Sequence, residues 1–130
     1  MISFPENKSN PKTILFVDDD PVVSKITPLM LGKLGYRVIC AVNGYQAVKT
    51  YNEKTDIIDL VILDYMMPGL SGEQTFKELK KLDDQVKVIL SSGYITEKCA
   101  NELIDSGCLG FLPKPFTMDK LSSMLSELIP

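Results

Sequence analysis

Residues 60–72 read Leu60-Val61-Ile62-Leu63-Asp64-Tyr65-Met66-Met67-Pro68-Gly69-Leu70-Ser71-Gly72, and this stretch decides the fold. Four large aliphatic residues in a row suit a strand buried on both faces, the habit of a parallel sheet. The run ends at a carboxylate. Pro68-Gly69 and Ser71-Gly72 then mark a loop. A helix follows from about Glu73 to Leu82, with Phe76, Leu79 and Leu82 on one side.

The same unit recurs in both directions along the chain. Upstream, Ile14-Leu15-Phe16-Val17 is a short apolar run ending at Asp18-Asp19-Asp20. Pro21 to Leu34 follows as a helix with apolar residues at 22, 23, 26, 29, 30 and 34. Asp20 suits its N-cap and Pro21 its first turn, Pro28 threatens a kink, and Gly35 ends it. Tyr36 to Ala41 is a second strand, and Asn43-Gly44 opens a helix that runs to about Glu53. Downstream, Val86 to Ser91 is a fourth strand. Thr96 to Ser106 is a helix with Cys99, Ala100, Leu103 and Ile104 inward, stopped by Gly107. Leu109 to Leu112 is a fifth strand, and Met118 to Leu128 a fifth helix with Leu121, Met124, Leu125 and Leu128 as its stripe. Five strand-helix units in alternation specify an α/β fold, a parallel sheet with helices on both faces joined by right-handed crossovers. Residues 1–11, polar and carrying Pro5 and Pro11, read as a flexible N-terminal tail, and residues 12–130 as one domain.

Composition narrows the chemistry. The chain has 130 residues, 45% hydrophobic and 24% charged, within the range of one globular domain. It has no histidine. That excludes a Ser-His-Asp or Cys-His nucleophile pair, a histidine-bearing zinc site and a phosphohistidine on this chain. Three scattered cysteines, Cys40, Cys99 and Cys108, cannot build a disulfide framework, and with no export signal they point to the cytoplasm. The net charge is −3 and the only basic cluster is Lys80-Lys81, so no direct nucleic-acid partner is expected. No apolar run reaches the ~18 residues of a membrane span.

Ligands of open parallel sheets bind beyond the carboxyl ends of the strands. There the first strand delivers Asp18 and Asp19, the third Asp64, the fourth Ser91 or Ser92, and the fifth Lys114. Taken singly, each has an ordinary explanation: a helix cap, a turn acid, a solvated lysine. Arriving together, they are a site. Close carboxylates raise one another's pKa, and a divalent cation resolves that conflict; magnesium prefers such hard oxygen ligands. Metal, hydroxyl and ammonium around a carboxylate suit a phosphoryl group, with Asp64 able to accept it as an aspartyl-phosphate.

These residues resemble the response-regulator receiver domains of two-component signalling. Residues 14–21 are similar to the family's first strand and acidic pair, 60–72 to its phosphoacceptor loop, and 90–94 and 111–116 to its third and fourth signatures. Ala41-Val42-Asn43-Gly44 also fits, and the likeness runs from about Lys12 to Leu128. The resemblance implies a flavodoxin-like sheet of order 2-1-3-4-5. It implies Asp64 as phosphoacceptor, with Mg2+ bound by Asp19 and Asp64 directly, Asp18 through water and the backbone carbonyl of Met66. Because the family's hydroxyl residue precedes a small one, Ser92-Gly93 assigns the role to Ser92, with Lys114 paired to the phosphoryl group. Phe111 becomes the switch aromatic, in a position where tyrosine is common, and Lys114-Pro115 is expected to be cis. Met66 and Tyr94 flank the site at positions that influence dephosphorylation in the family.

The implied partner is a histidine kinase or a histidine phosphotransfer domain, and the chain itself a monomer or weak dimer. The output face would be built from the fourth helix, fifth strand and fifth helix. The sequence leaves no room for an output domain after the fifth helix, so a stand-alone regulator and a receiver cut from a hybrid kinase both fit. Two other readings compete. Asp18-Asp19-Asp20-Pro21-Val22 also fits the first motif of haloacid-dehalogenase-type phosphohydrolases, with Asp18 as nucleophile, but that leaves Asp64 and its loop unexplained. A receiver-like binding module that is never phosphorylated leaves the full set of site residues unexplained.

Overall fold

The computed structural model describes residues 11–130; the expected tail, residues 1–11, lies outside it except for Pro11. Five strands alternate with five helices: β1 (Thr13–Val17), α1 (Val23–Lys33), β2 (Arg37–Ala41), α2 (Gly44–Glu53), β3 (Leu60–Asp64), α3 (Gly72–Leu82), β4 (Val88–Ser92), α4 (Glu97–Asp105), β5 (Gly110–Pro113) and α5 (Met118–Leu128). All neighbouring strands pair in parallel, in the order β2-β1-β3-β4-β5. This is the doubly wound, flavodoxin-like architecture that the alternation predicts.

β1, β3 and β4 are buried along their whole length. Their side chains alternate between two apolar layers. Ile14, Phe16, Leu60, Ile62 and Ile89 pack with Leu31 of α1 and Leu121 and Leu125 of α5. Leu15, Val17, Val61, Leu63, Val88 and Leu90 pack with Ala47 and Tyr51 of α2, Phe76 and Leu79 of α3 and Leu103 of α4. The continuous apolar runs in the sequence are therefore the interior of a three-layer sandwich. β2 and β5 form the edges and are more exposed.

Helix starts follow side-chain chemistry. Asn43, Ser71, Thr96 and Thr117 each accept a backbone N–H from the third residue into their helix. Ser71 and Gln74 complete a reciprocal capping box. Asp20, expected as the N-cap of α1, instead holds the turn before it: its Oδ1 accepts the N–H groups of Val22, at 2.8 Å, and Val23, at 3.2 Å, while Val22 occupies the cap position. Regular helix begins only at Val23, after a turn at Pro21-Val22, and continues through Pro28.

Several apolar positions differ from the periodicity. Leu82 is 43% and Ile104 47% exposed, and in α1 the buried positions are Thr27 and Leu31, while Val22, Ile26 and Leu29 of the apolar stripe face out. The buried stripe of α3 runs through Gly72, Thr75, Phe76 and Leu79, and Leu82 lies off it in the last turn. In α4 only Leu103 is buried, with Cys99 one turn back half-buried; Ile104, a residue further round, faces out. Gly72 is required by space: a Cβ there would lie 2.5 Å from the Asp64 carbonyl oxygen and 2.5 Å from Tyr65 Cα. This close approach lets α3 begin against the end of β3, where Gly72 N–H donates to the Tyr65 carbonyl at 3.0 Å.

Away from the strand ends, the buried Tyr51 hydroxyl donates to Asp83 Oδ2 at 2.7 Å and ties α2 to the end of α3. Burial and then this bond push the phenol pKa up, while the bond holds the Asp83 carboxyl below its ordinary range. A depressed carboxyl contributes stability above its unfolded pKa of ~3.9 and loses it as pH falls through the folded value. Tyr51→Phe should therefore cost about 1 kcal/mol at neutral pH. Urea unfolding of both proteins should show that difference shrinking as the pH falls below ~4.

Candidate functional site

The sheet register explains why distant residues meet. Val17 pairs with Leu63 in the β1–β3 ladder, so the acids following β1 and the acid ending β3 emerge at one level. Asp64 pairs with Ser91, and Ser92 with Pro113, which places Lys114 one residue beyond the β4–β5 ladder. The Lys114 N–H donates to the Ser92 carbonyl at 2.9 Å. The Lys114-Pro115 bond is cis.

Asp18, Asp19 and Asp64 each present a carboxylate oxygen, and the three lie within 4.8 Å of one another. Asp18 and Asp64 are buried; Asp19 is exposed. The Lys114 ammonium reaches over them, 2.7 Å from Asp18 Oδ2 and 3.3 Å from Asp64 Oδ1. Burial pulls the Lys114 pKa down, but the hydrogen bond to Asp18 and the charges of Asp64 and Asp18 outweigh it and leave it raised. At Asp64, burial and then the Asp18 charge push the carboxyl up to about 6, against the opposing pull of Lys114 and the Met66 N–H.

The two buried acids differ in what remains free on them. Both oxygens of Asp18 are engaged: Oδ1 accepts the Asp20 N–H at 2.8 Å and Oδ2 takes Lys114. On Asp64, the Met66 N–H at 3.3 Å and Lys114 both address Oδ1. Oδ2 accepts no hydrogen bond among the described residues. Asp64 thus keeps one oxygen available for a bond to a metal or to phosphorus, and Asp18 does not. Three hard oxygen donors around partly compensated charge fit a magnesium ion.

The other expected residues are positioned differently. The Ser92 side chain is buried at the end of β4, but its hydroxyl forms a local turn, donating to the Tyr94 carbonyl at 2.7 Å and accepting the Tyr94 N–H at 3.1 Å. Phe111 is half-buried against the layer that holds Leu90 and Leu103. The Met66 and Tyr94 side chains are 68% and 78% exposed at the rim. The structure therefore gathers Asp18, Asp19, Asp64 and Lys114 into one cluster and leaves Ser92 and Phe111 one step away from it. It also adds Ser24, which residue type did not single out: its hydroxyl donates to the Asp18 carbonyl at 2.9 Å and braces the acidic loop against α1. Serine in a first helical turn is too common to announce that role.

The sequence matches the model of the response regulator receiver domain over residues 14–126. It is 40% identical over 114 residues to the transcriptional regulatory protein ZraR of Klebsiella oxytoca, which covers 88% of this chain and 25% of that protein. It is 33% identical over 115 residues to the chemotaxis protein CheY of Bacillus subtilis (strain 168), covering 88% of this chain and 94% of that one. The receiver domain of sensor histidine kinase PA1611 from Pseudomonas aeruginosa PAO1, solved with a magnesium ion coordinated in the active site cleft, superimposes with a TM-score of 0.82 at 27% identity; 92% of this chain and 98% of that one are covered. The chain thus spans about a quarter of the first relative and nearly all of the second.

The raised Asp64 pKa makes a stability prediction. A carboxyl whose folded pKa lies above its unfolded value destabilises the fold once ionised, so the penalty is absent below ~4 and complete above about 6. In metal-free buffer Asp64→Asn should raise stability at pH 7 by on the order of 2 kcal/mol. The advantage should fade toward pH 4, as read by urea unfolding at both pH values.

Proposed function

Because the chain belongs to the response regulator receiver domain family, we propose that it takes a phosphoryl group from a partner's phosphohistidine onto Asp64. The partner is a histidine kinase or a histidine phosphotransfer domain. The observation that carries this reading is the contrast at the strand ends: Asp64 keeps Oδ2 free, while Asp18 has both oxygens occupied. The hydrolase alternative needs Asp18 as nucleophile and Asp20 near the reacting group. Asp20 instead holds the turn before α1.

In the proposed transfer, Asp64 Oδ2 attacks phosphorus in line with the leaving imidazole. The new P–O bond forms as the P–N bond breaks, and its electron pair returns to the imidazole nitrogen, which is protonated from water. Lys114 shares its charge with the phosphoryl oxygens as it gives up part of its hold on Asp18. Ser92 exchanges its bond to the Tyr94 carbonyl for one to the phosphoryl group. Asp19, Asp64 and the Met66 carbonyl would hold magnesium, with Asp18 reaching it through water, and the bound ion would supply positive charge against the transferring oxygens. The domain acts on its own side chain and on no external substrate, apart from hydrolysing its own aspartyl-phosphate.

The donor has a place to dock. Val22, Ile26 and Met30 with Pro115 and Phe116 line an apolar groove of about 300 Å³ that runs up to Lys114. Val22, Ile26 and the neighbouring Leu29 are 63%, 51% and 69% exposed. An apolar surface that abuts the acceptor suits a helical partner that delivers an imidazole to Asp64. No helix among the described residues is long and apolar enough to cross a membrane, and we place the domain in the cytoplasm, beside its donor.

Release of Tyr94 by Ser92 would loosen residues 93–95, which lead into the Thr96 cap of α4. Phe111 would turn inward behind Ser92, and the α4-β5-α5 face would change. Moving a two-state equilibrium from 1:99 to 99:1 takes ~5.5 kcal/mol. One charge-assisted hydrogen bond supplies ~1.5–3 kcal/mol. The Ser92 exchange is thus insufficient alone, and the redistributed charge at Lys114 must carry the rest.

Intact mass after incubation with magnesium and acetyl phosphate tests the proposal. The expected result is one phosphoryl adduct in the wild type, none with EDTA and none in Asp64→Asn. An adduct that persists in Asp64→Asn would move the chemistry to Asp18. If no adduct forms, a beryllofluoride titration that also leaves the amide spectrum unchanged would leave only the binding-module reading. Lys114→Ala should keep the fold and slow adduct formation by ~10-fold or more.

A further inference from the structure

Ser91 is a fully buried polar residue that the proposed transfer does not use; its relative exposure is 1%. It pairs directly with Asp64 across β3–β4 and lies two residues after Ile89, whose side chain is in the α1/α5 layer. Its hydroxyl could therefore have been another donor to the acceptor carboxylate. It points elsewhere, donating to the Leu112 carbonyl on β5 at 3.0 Å.

That choice matters because of how weakly Lys114 is tethered. β5 is a four-residue edge strand with β4 as its only neighbour among the described residues. Its last residue, Pro113, has no N–H to add to the ladder. Beyond it the backbone of Lys114 keeps one bond, to the Ser92 carbonyl. The Lys114 ammonium must nonetheless sit within hydrogen-bond distance of Asp18 and Asp64, at the ends of strands buried on both faces. Errors of even 1 Å in such an arrangement lower rates substantially. The Ser91 bond fastens β5 two residues before Lys114, in the last part of the strand where the ladder is thin.

We propose that Ser91 is a positioning residue for Lys114: its hydroxyl clamps the end of the edge strand to β4 and sets the reach of the ammonium to the acceptor site. The proposal rests on the receiver reading for its kinetic part. Its structural part stands on the hydrogen bond alone. Ser91→Ala removes the clamp without adding volume, Ser91→Thr restores a hydroxyl, and Tyr51→Phe, remote from the site, serves as a comparator for general loss of stability.

Two measurements test it. In metal-free protein without donor, amide hydrogen exchange followed by NMR should be faster at Lys114 in Ser91→Ala than in Tyr51→Phe, by about threefold to tenfold relative to the amides of β1 and β3. With magnesium and acetyl phosphate, the maximal rate of adduct formation should fall by about threefold to tenfold in Ser91→Ala, with half-saturating magnesium unchanged, and recover in Ser91→Thr. Exchange that rises uniformly in Ser91→Ala, as in the comparator, overturns the clamp. A selective rise at Lys114 with an unchanged maximal rate overturns its role in positioning. If the wild type gains no phosphoryl group and beryllofluoride also leaves its amide spectrum unchanged, the receiver reading fails, and the exchange result alone decides the clamp.

Discussion

Everything at the functional edge depends on one electrostatic constraint: three carboxylates lie within 4.8 Å of one another, and among the described residues one ammonium, Lys114, pairs with the two that are buried, Asp18 and Asp64. Carboxylates at that distance repel, and two of the three are buried, where repulsion is screened least. Lys114 offsets part of the charge, yet burial and then the Asp18 charge leave the Asp64 pKa raised. The residual conflict makes the site receptive. A divalent cation or a transferred phosphoryl group with its own cation both relieve it, and the protein need not rearrange its acids for either.

The rest of the fold can be understood as what keeps this cluster together. The acids leave strands that are buried on both faces, where a one-residue slip would move every closely packed side chain into the opposite layer. Asp18 is braced through its carbonyl by Ser24, and through its carboxylate by the Asp20 N–H. The close approach of Gly72 to Asp64 and Tyr65 seats α3 against the loop after the acceptor. The cation, in contrast, arrives on the edge strand. The acids are set rigidly, and the group that answers them has freedom to be redistributed.

Much of this was legible in the sequence because it is repetitive or local. The five apolar runs and the acids or loop signals that end them specify the elements and their order, while the caps at Ser71, Thr96 and Thr117 emerge only in the structure. Asp18, Asp19, Asp64 and Lys114 were identifiable because each terminates a strand, and parallel strands end on the same side. The unreadable part concerns direction within a residue. Nothing in Ser91-Ser92 says that one hydroxyl crosses to β5 and the other folds back on Tyr94, since both depend on carbonyls supplied by chain far away or by a local turn. The orientation of Ile104 and Leu82 was missed because periodicity gives the direction of a stripe, while its width depends on how much of the sheet lies beneath it.

The shortness of β5 has a consequence beyond the site. An exposed edge strand offers unpaired backbone groups on which another chain can add a strand, the usual first step toward aggregation. β5 is four residues long and offers few such groups. The open side of the sheet nearest the functional cluster is therefore a poor template for growth. Any association of copies on that side has to be built from helix surfaces, whose side chains set partner and register, and not from indiscriminate backbone pairing.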